Sequence, residues 1–179
     1  LNRWYVKTDD YTGQFLVRGL YDHRLGGQTE DALAVSPFAS SPYHIDLNTW
    51  RVDGFVKNGY VFNHDLGTSI GIIASASYHN QQNTYGSRQW NAAQTNVYLN
   101  AIFQTSFDDL ASDPWDNHQH KLSAGFSINY DKYDESLSPS SLIASQMEVT
   151  PGVFAEYTYT YKEKLTLLAG IREDYSTRY

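Results

Sequence analysis

Residues 66 to 80, LGTSIGIIASASYHN, alternate with a period of two along their whole length. Leu66, Thr68, Ile70, Ile72, Ala74, Ala76 and Tyr78 share one parity, and Gly67, Ser69, Gly71, Ser75, Ser77 and His79 the other, with Ile73 the one apolar exception. A period of two sends the sets to opposite faces of a β-strand, whereas a helix would bring residues three and four apart together. Along the apolar set the middle is aliphatic and small and the end is aromatic. That order is the one expected of a strand crossing lipid between interfacial aromatic belts.

The pattern recurs along the chain. Residues 94 to 107 set Thr95, Val97, Leu99, Ala101, Phe103 and Phe107 against Gln94, Asn96, Tyr98, Asn100 and Gln104, with Ile102 out of place. Residues 118 to 134 set Leu122, Ala124, Phe126, Ile128 and Tyr130 against Lys121, Ser123, Gly125, Ser127, Asn129 and Asp131. Residues 151 to 162 and 164 to 178 continue it with Val153, Ala155, Tyr157, Tyr159 and Tyr161, then Leu165, Leu167, Ala169, Ile171 and Tyr175. Residues 11 to 22 and 48 to 62 are rougher, with Asn58 on the apolar row and Phe55 on the polar one. These make seven strands, and WYV at 4 to 6 suggests an eighth. The fold class expected is all-β, an antiparallel transmembrane β-barrel segment of about 7–8 long strands. A soluble sandwich also alternates, but its strands seldom reach such lengths.

The connections support the same topology. Phe62 to Leu66 and Lys162 to Lys164 leave room only for tight turns, while 23 to 47, 81 to 93 and 135 to 150 are polar and rich in Gly, Ser, Asn and Pro, and are expected to be long external loops. Aromatics then fall in two bands. Tyr21, Tyr78, Tyr130 and Tyr175 lie near the external ends, and Phe62, Phe103, Phe107, Tyr159 and Tyr161 near the periplasmic ends.

Bulk composition alone would mislead. A net charge of -7 and a mean hydropathy of -0.53 suit a soluble chain, and no run of about 18 apolar residues offers a transmembrane helix. A barrel needs only alternate residues apolar, so its averaged hydropathy stays polar. The absence of Cys is compatible with an oxidising compartment. The mild acidity without a basic cluster argues against nucleic-acid binding. No leader precedes Leu1, so the chain is expected to be a mature protein or an excised piece.

The C-terminal hairpin GVFAEYTYTYKEKLTLLAGIREDYSTRY resembles a strand, turn and strand of TonB-dependent outer-membrane receptors, with a FAEY-like strand, a Lys-Leu-Thr-Leu entry and an AG-x-R-x-D exit. HKLSAGFSINYDKYDE, YDHRLGG and NGYVF are similar to barrel strands of the same family, and the resemblance runs from about Tyr11 to Tyr179. It implies a barrel of about 22 strands closed around a plug, in which residues 1–179 are a single partial β-barrel domain without the plug. It further implies outer-membrane location and active uptake of a scarce nutrient of the siderophore, corrinoid, haem or glycan class. The implied partners are outer-membrane lipid, the protein's own plug domain, TonB acting through that plug, the nutrient, and a surface lipoprotein capping the mouth. The alternative is a complete eight-stranded outer-membrane barrel with a structural or adhesive role. In that case the segment near Lys7 would hydrogen-bond with 164 to 178.

Candidate chemistry falls in two places. The polar rows carry Arg51, Asp53, Lys57, Arg172 and Asp174 as candidate lumen or plug contacts, beside Gln14, Arg18, Lys121, Asp131 and Glu156. The expected loops carry His79, Tyr85, Arg88, Trp90 and His44 as candidate ligand contacts, since aromatics with Arg at an exposed mouth suit an organic or metal-chelate ligand. Such aromatics also simply pack loops together. His118 and His120 share a strand face, but two nitrogen ligands make no metal site, and the four Asp of DDLASDPWD at 108 to 116 lack calcium-loop spacing, so no metal and no cofactor is expected. No G-x-S-x-G, H-E-x-x-H, phosphate loop or Cys nucleophile occurs, and no enzyme activity is expected, an outer-membrane lipase being the remote rival.

Overall fold

A computed structural model describes residues 2–29, 42–107, 118–162 and 164–178. These form eight β-strands: β1 (Asn2–Lys7), β2 (Tyr11–Gly27), β3 (His44–Asn63), β4 (Thr68–Tyr85), β5 (Arg88–Ser106), β6 (His118–Ser138), β7 (Leu142–Tyr161) and β8 (Leu165–Asp174). Each pairs antiparallel with its neighbour in sequence, giving one sheet in the order β1 to β8. The WYV segment is therefore the eighth strand. The acidic segment 108 to 116 lies outside the described residues.

Among the described residues the sheet is a single layer. No hydrophobic side chain is buried, and Val17, Val52, Phe126, Val153 and Ile171 are 46–75% exposed on the apolar face. A sandwich would cover that face with a second sheet. The sheet is also open, because β1 touches only β2 and β8 only β7. The closure that a self-contained eight-stranded barrel requires, between the Lys7 segment and 164 to 178, is not formed.

Two expected loops are strand. β4 and β5 continue through 81 to 93 to a two-residue turn at Gly86 and Ser87, and β6 and β7 continue through 135 to 150 to a turn at 139 to 141. The flanks of 23 to 47 extend β2 and β3 in the same way, pairing Gly27 with His44. Alternation vanishes in these stretches because both faces meet polar surroundings, yet the backbone ladder carries on without it. Gly86 holds φ at +62°, the left-handed backbone that a Gly-first hairpin turn demands, and the Tyr43 ring lies where its side chain would stand.

The register aligns the aromatics into two lines. Tyr21 pairs with Trp50, which pairs with Asn80, so Tyr78 stands two residues lower on β4. Tyr78 is level with Lys132, and Tyr130 stands two lower on β6. Tyr130 pairs with Val149, whose carbonyl accepts from Thr177, and Tyr175 stands two lower again. The line thus descends one residue per strand. At about 3.3 Å per residue and about 4.8 Å between strands, that descent corresponds to a strand tilt of about 35°, the tilt of closed barrels. Phe62, Phe107 and Tyr161 form a second line with the same step, at the end holding the short turns. The lines are roughly eleven residues of strand apart, or about 30 Å once the tilt is removed, which is the thickness of a bilayer's hydrocarbon core.

The misfit Asn58 on the apolar face has a partner. The Tyr11 hydroxyl donates to its side-chain carbonyl at 2.6 Å, and Gly13, which lies beneath the Tyr11 ring, leaves the ring room to reach it. Tyr11→Phe is expected to cost about 1–3 kcal/mol by stranding that carbonyl in apolar surroundings. Asn58→Leu in the Phe background should recover most of the loss. Urea midpoints of the two variants check this, and equal midpoints for Tyr11→Phe and the parent would refute it.

Candidate functional site

On the polar face the charges divide by position in the sheet. β1 to β3 carry Arg3, Lys7, Arg18, Arg24, Arg51 and Lys57 against Asp22 and Asp53, whereas β6 and β7 carry Asp131, Glu135, Glu148 and Glu156 against Lys121. The register produces this grouping: Arg18 pairs with Asp53, and Arg51 stands two residues away on the same face. Asp53 is held from both sides. Arg18 donates Nε to its Oδ2 at 2.9 Å, and Arg51 donates Nε and a terminal amine to its Oδ1 at 2.8 and 2.7 Å. The carboxylate is largely covered, at 13% exposure, while the Arg18 and Arg51 side chains remain 52% and 39% exposed. Arg3 completes the group and donates to Gln14 at 2.9 Å.

These residues line a concavity of about 510 Å³ together with Leu16, Phe55, Ser75, Ser77 and Asn96. Lys57 lies four residues from Asp53 on β3, level with Gln14 and Ile73, and makes no ion pair among the described residues. Arg172 and Asp174 form a separate unit on β8. Arg172 donates Nε and a terminal amine to Asp174 at 2.6 and 2.7 Å and reaches Ser127 at 3.1 Å, with its guanidinium 5.8 Å from the Phe154 ring centre. Phe154 itself lies over Gly125, where any side chain would also meet the Ala101 carbonyl. The two groups differ in their carboxylates: Asp174 is 39% exposed and Asp53 13%, while Arg172 is as open as Arg18.

The upper cluster unites some of the candidate ligand contacts. Tyr85, Arg88 and Trp90 share the polar face with Tyr43 and Leu137, and together they line a concavity of about 470 Å³ beside the Gly86 turn. His44 does not join them, because it falls on the opposite parity and faces away. His79 is on the same face but lower, paired with Arg51. Leu137 was invisible to sequence reasoning, since only the register of β5 with β6 places it beside Trp90. The same holds for the network of Asn96, Asn129, Asp131, Gln94 and Tyr133, joined at 2.6–3.1 Å.

His118 and His120 face the apolar side at the lower end, interleaved with Tyr157, Tyr159 and Tyr161. The His118 ring hydrogen-bonds the Tyr159 hydroxyl at 2.6 Å, and His120 that of Tyr157. They belong to the lower aromatic line and show no group of three metal-binding side chains among the described residues.

Above the upper aromatic line, Asp134 accepts from Ser145 Oγ at 2.6 Å and pairs with Lys132 at 2.9 Å, and these contacts hold its carboxyl below the ordinary range. A depressed carboxylate stabilises above its unfolded value of about 3.9 and loses that contribution as pH falls through the lower folded value. Carbon NMR of labelled Asp should show residue 134 titrating below ordinary aspartates. Ser145→Ala should raise it, and a value at or above 3.9 in the parent contradicts the assignment.

No family model and no curated relative matches this sequence. Among solved structures the chain is similar to the alcaligin outer membrane receptor FauA from Bordetella pertussis, with a TM-score of 0.67 at 12% identity over 98% of this chain. It spans 30% of that receptor's length. The likeness establishes the fold: an antiparallel sheet of the kind that forms an outer-membrane barrel wall.

Proposed function

We propose that the chain is a section of the barrel wall of a TonB-dependent outer-membrane receptor for active uptake of a scarce nutrient of the siderophore, corrinoid, haem or glycan class. The observation that carries this is a one-layer sheet whose apolar face is exposed between two tilted aromatic lines and whose edge strands both lack a second neighbour among the described residues. In hydrocarbon every backbone N–H and C=O needs a partner, so β1 and β8 require further strands, and a larger closed wall supplies them. The similarity to the receptor FauA supports the same reading.

In this reading the apolar face meets outer-membrane lipid, the polar face meets the plug through which TonB acts, and the Tyr85, Arg88 and Trp90 rim receives the nutrient. No catalytic step is assigned to the chain. The test is growth of the producing bacterium with the nutrient limiting. Growth should require both the parent polypeptide and TonB, and growth that survives loss of TonB would sink the transporter reading.

A further inference from the structure

The upper part of the polar face is built in rows, because each strand from β4 to β7 presents every second residue to it. Asn83, Trp90 and Leu137 form one row. The next sets Glu135 between Ala92 and Ala144, and the third aligns Gln94, Tyr133 and Gln146. Trp90 with Tyr43 and Tyr85 lines the concavity of about 470 Å³, and Tyr133 with Glu135 and Gln146 lines a second of about 300 Å³. Four residues of strand, about 13 Å, separate the Trp90 row from the Tyr133 row. Tyr133 is 40% exposed and its hydroxyl accepts from Gln94 at 2.6 Å, which holds the ring in place as a platform.

The charge of this strip is one-sided. Glu135 stands exposed between its two alanines and makes no ion pair among the described residues. Below it, Asp131 accepts from the amides of Gln94, Asn96 and Asn129 at 3.1, 3.0 and 2.7 Å, with no cation on it among the described residues. Arg178, beside Tyr133 and Glu135, lies 4.0 Å from Glu148. An anionic chelate meets the wrong sign here. Hydroxyls meet the right chemistry, since carboxylates and amide carbonyls accept from them and amide N–H groups donate to them. Aromatic faces in turn take up the apolar C–H face of a ring. A single macrocycle needs one broad socket, whereas two concavities in line suit repeated units.

We infer that this strip binds a neutral oligosaccharide, one sugar ring against Trp90 and a later one against Tyr133, with the hydroxyls between them held by Glu135 and Gln146. The inference rests on the transporter reading above. It narrows the nutrient to the glycan class and carries its contacts from the rim down the wall.

The test is calorimetric titration of the full parent polypeptide in detergent micelles. One panel holds neutral oligosaccharides, namely α- and β-linked glucans, mannans, xylans and N-acetylglucosamine chains, each beside its single sugar. The other holds a ferric hydroxamate, a ferric catecholate, haem and cobalamin. At least one oligosaccharide should bind, about tenfold or more tighter than its single sugar, and no member of the second panel should. Tyr133→Ala and Glu135→Ala should each weaken that oligosaccharide about tenfold. Tyr133→Phe keeps the ring and Glu135→Gln keeps an acceptor, so both should stay within about threefold of the parent. Unchanged heat-modifiable gel mobility shows that each variant is folded.

Binding of a second-panel member in place of every oligosaccharide overturns the inference and leaves the transporter reading standing. Binding of nothing in either panel overturns the inference too. An oligosaccharide whose affinity is unmoved by Tyr133→Ala and Glu135→Ala binds elsewhere, which also overturns it. An oligosaccharide that depends on Tyr133 and Glu135 but supports growth without TonB keeps the strip as a glycan surface and removes the transporter reading alone.

Discussion

Ile72→Arg is expected to destabilise the wall by about 2–4 kcal/mol, the cost of a cation on the lipid face near the bilayer midplane. Ile72 lies on the apolar face, about midway between the upper aromatic line at Tyr78 and the lower line on β3 and β5. Its near neighbour Ser75 faces the other way, and Ser75→Arg should cost less than about 1 kcal/mol because a lumen-facing cation stays hydrated. Unfolding of the parent polypeptide in vesicles, followed by urea titration, measures both. Equal costs for the two substitutions would mean that the faces do not see different solvents, and the membrane assignment would fail.

Trp90→Ala should weaken nutrient capture at least about 30-fold, the 2 kcal/mol or more that a central aromatic anchor carries in a recognition surface. Arg88→Ala should weaken it comparably if the nutrient is anionic, since Arg88 lines the same rim as Trp90, Tyr85 and Tyr43. His44→Ala should change nothing, because its strand parity turns it away from that rim. The half-saturating nutrient concentration for growth separates the cases. A large effect at His44 with none at Trp90 would remove the rim from the binding surface.

The two expectations draw differently on sequence and structure. The faces of Ile72 and Ser75 were legible in LGTSIGIIASASYHN, because a residue's parity follows from its number once the strand is known. The exceptions were legible as exceptions but not explained: Asn58 needed the pairing of β2 with β3 to bring Tyr11 within reach. Tyr85, Arg88 and Trp90 read as loop residues in the sequence, and the structure sets them on the strands β4 and β5 instead. Polar strand with water on both faces has the composition of a loop, and only backbone hydrogen bonds tell the two apart.

What the amino-acid sequence determined by itself is local and periodic: β-strands, an apolar and a polar face on each, aromatics at the ends of the apolar rows, and a mean hydropathy kept polar by the alternation. These follow from residues near one another along the chain. Register is a relation between strands, and tertiary structure alone decided it. It set the one-residue descent that aligns Tyr21, Tyr78, Tyr130 and Tyr175. It also brought Arg18 and Arg51 onto Asp53 and left both edges of the sheet without a second neighbour among the described residues. A slip of one residue would preserve every strand's own pattern, yet it would turn a row of side chains to the wrong solvent and scatter those contacts.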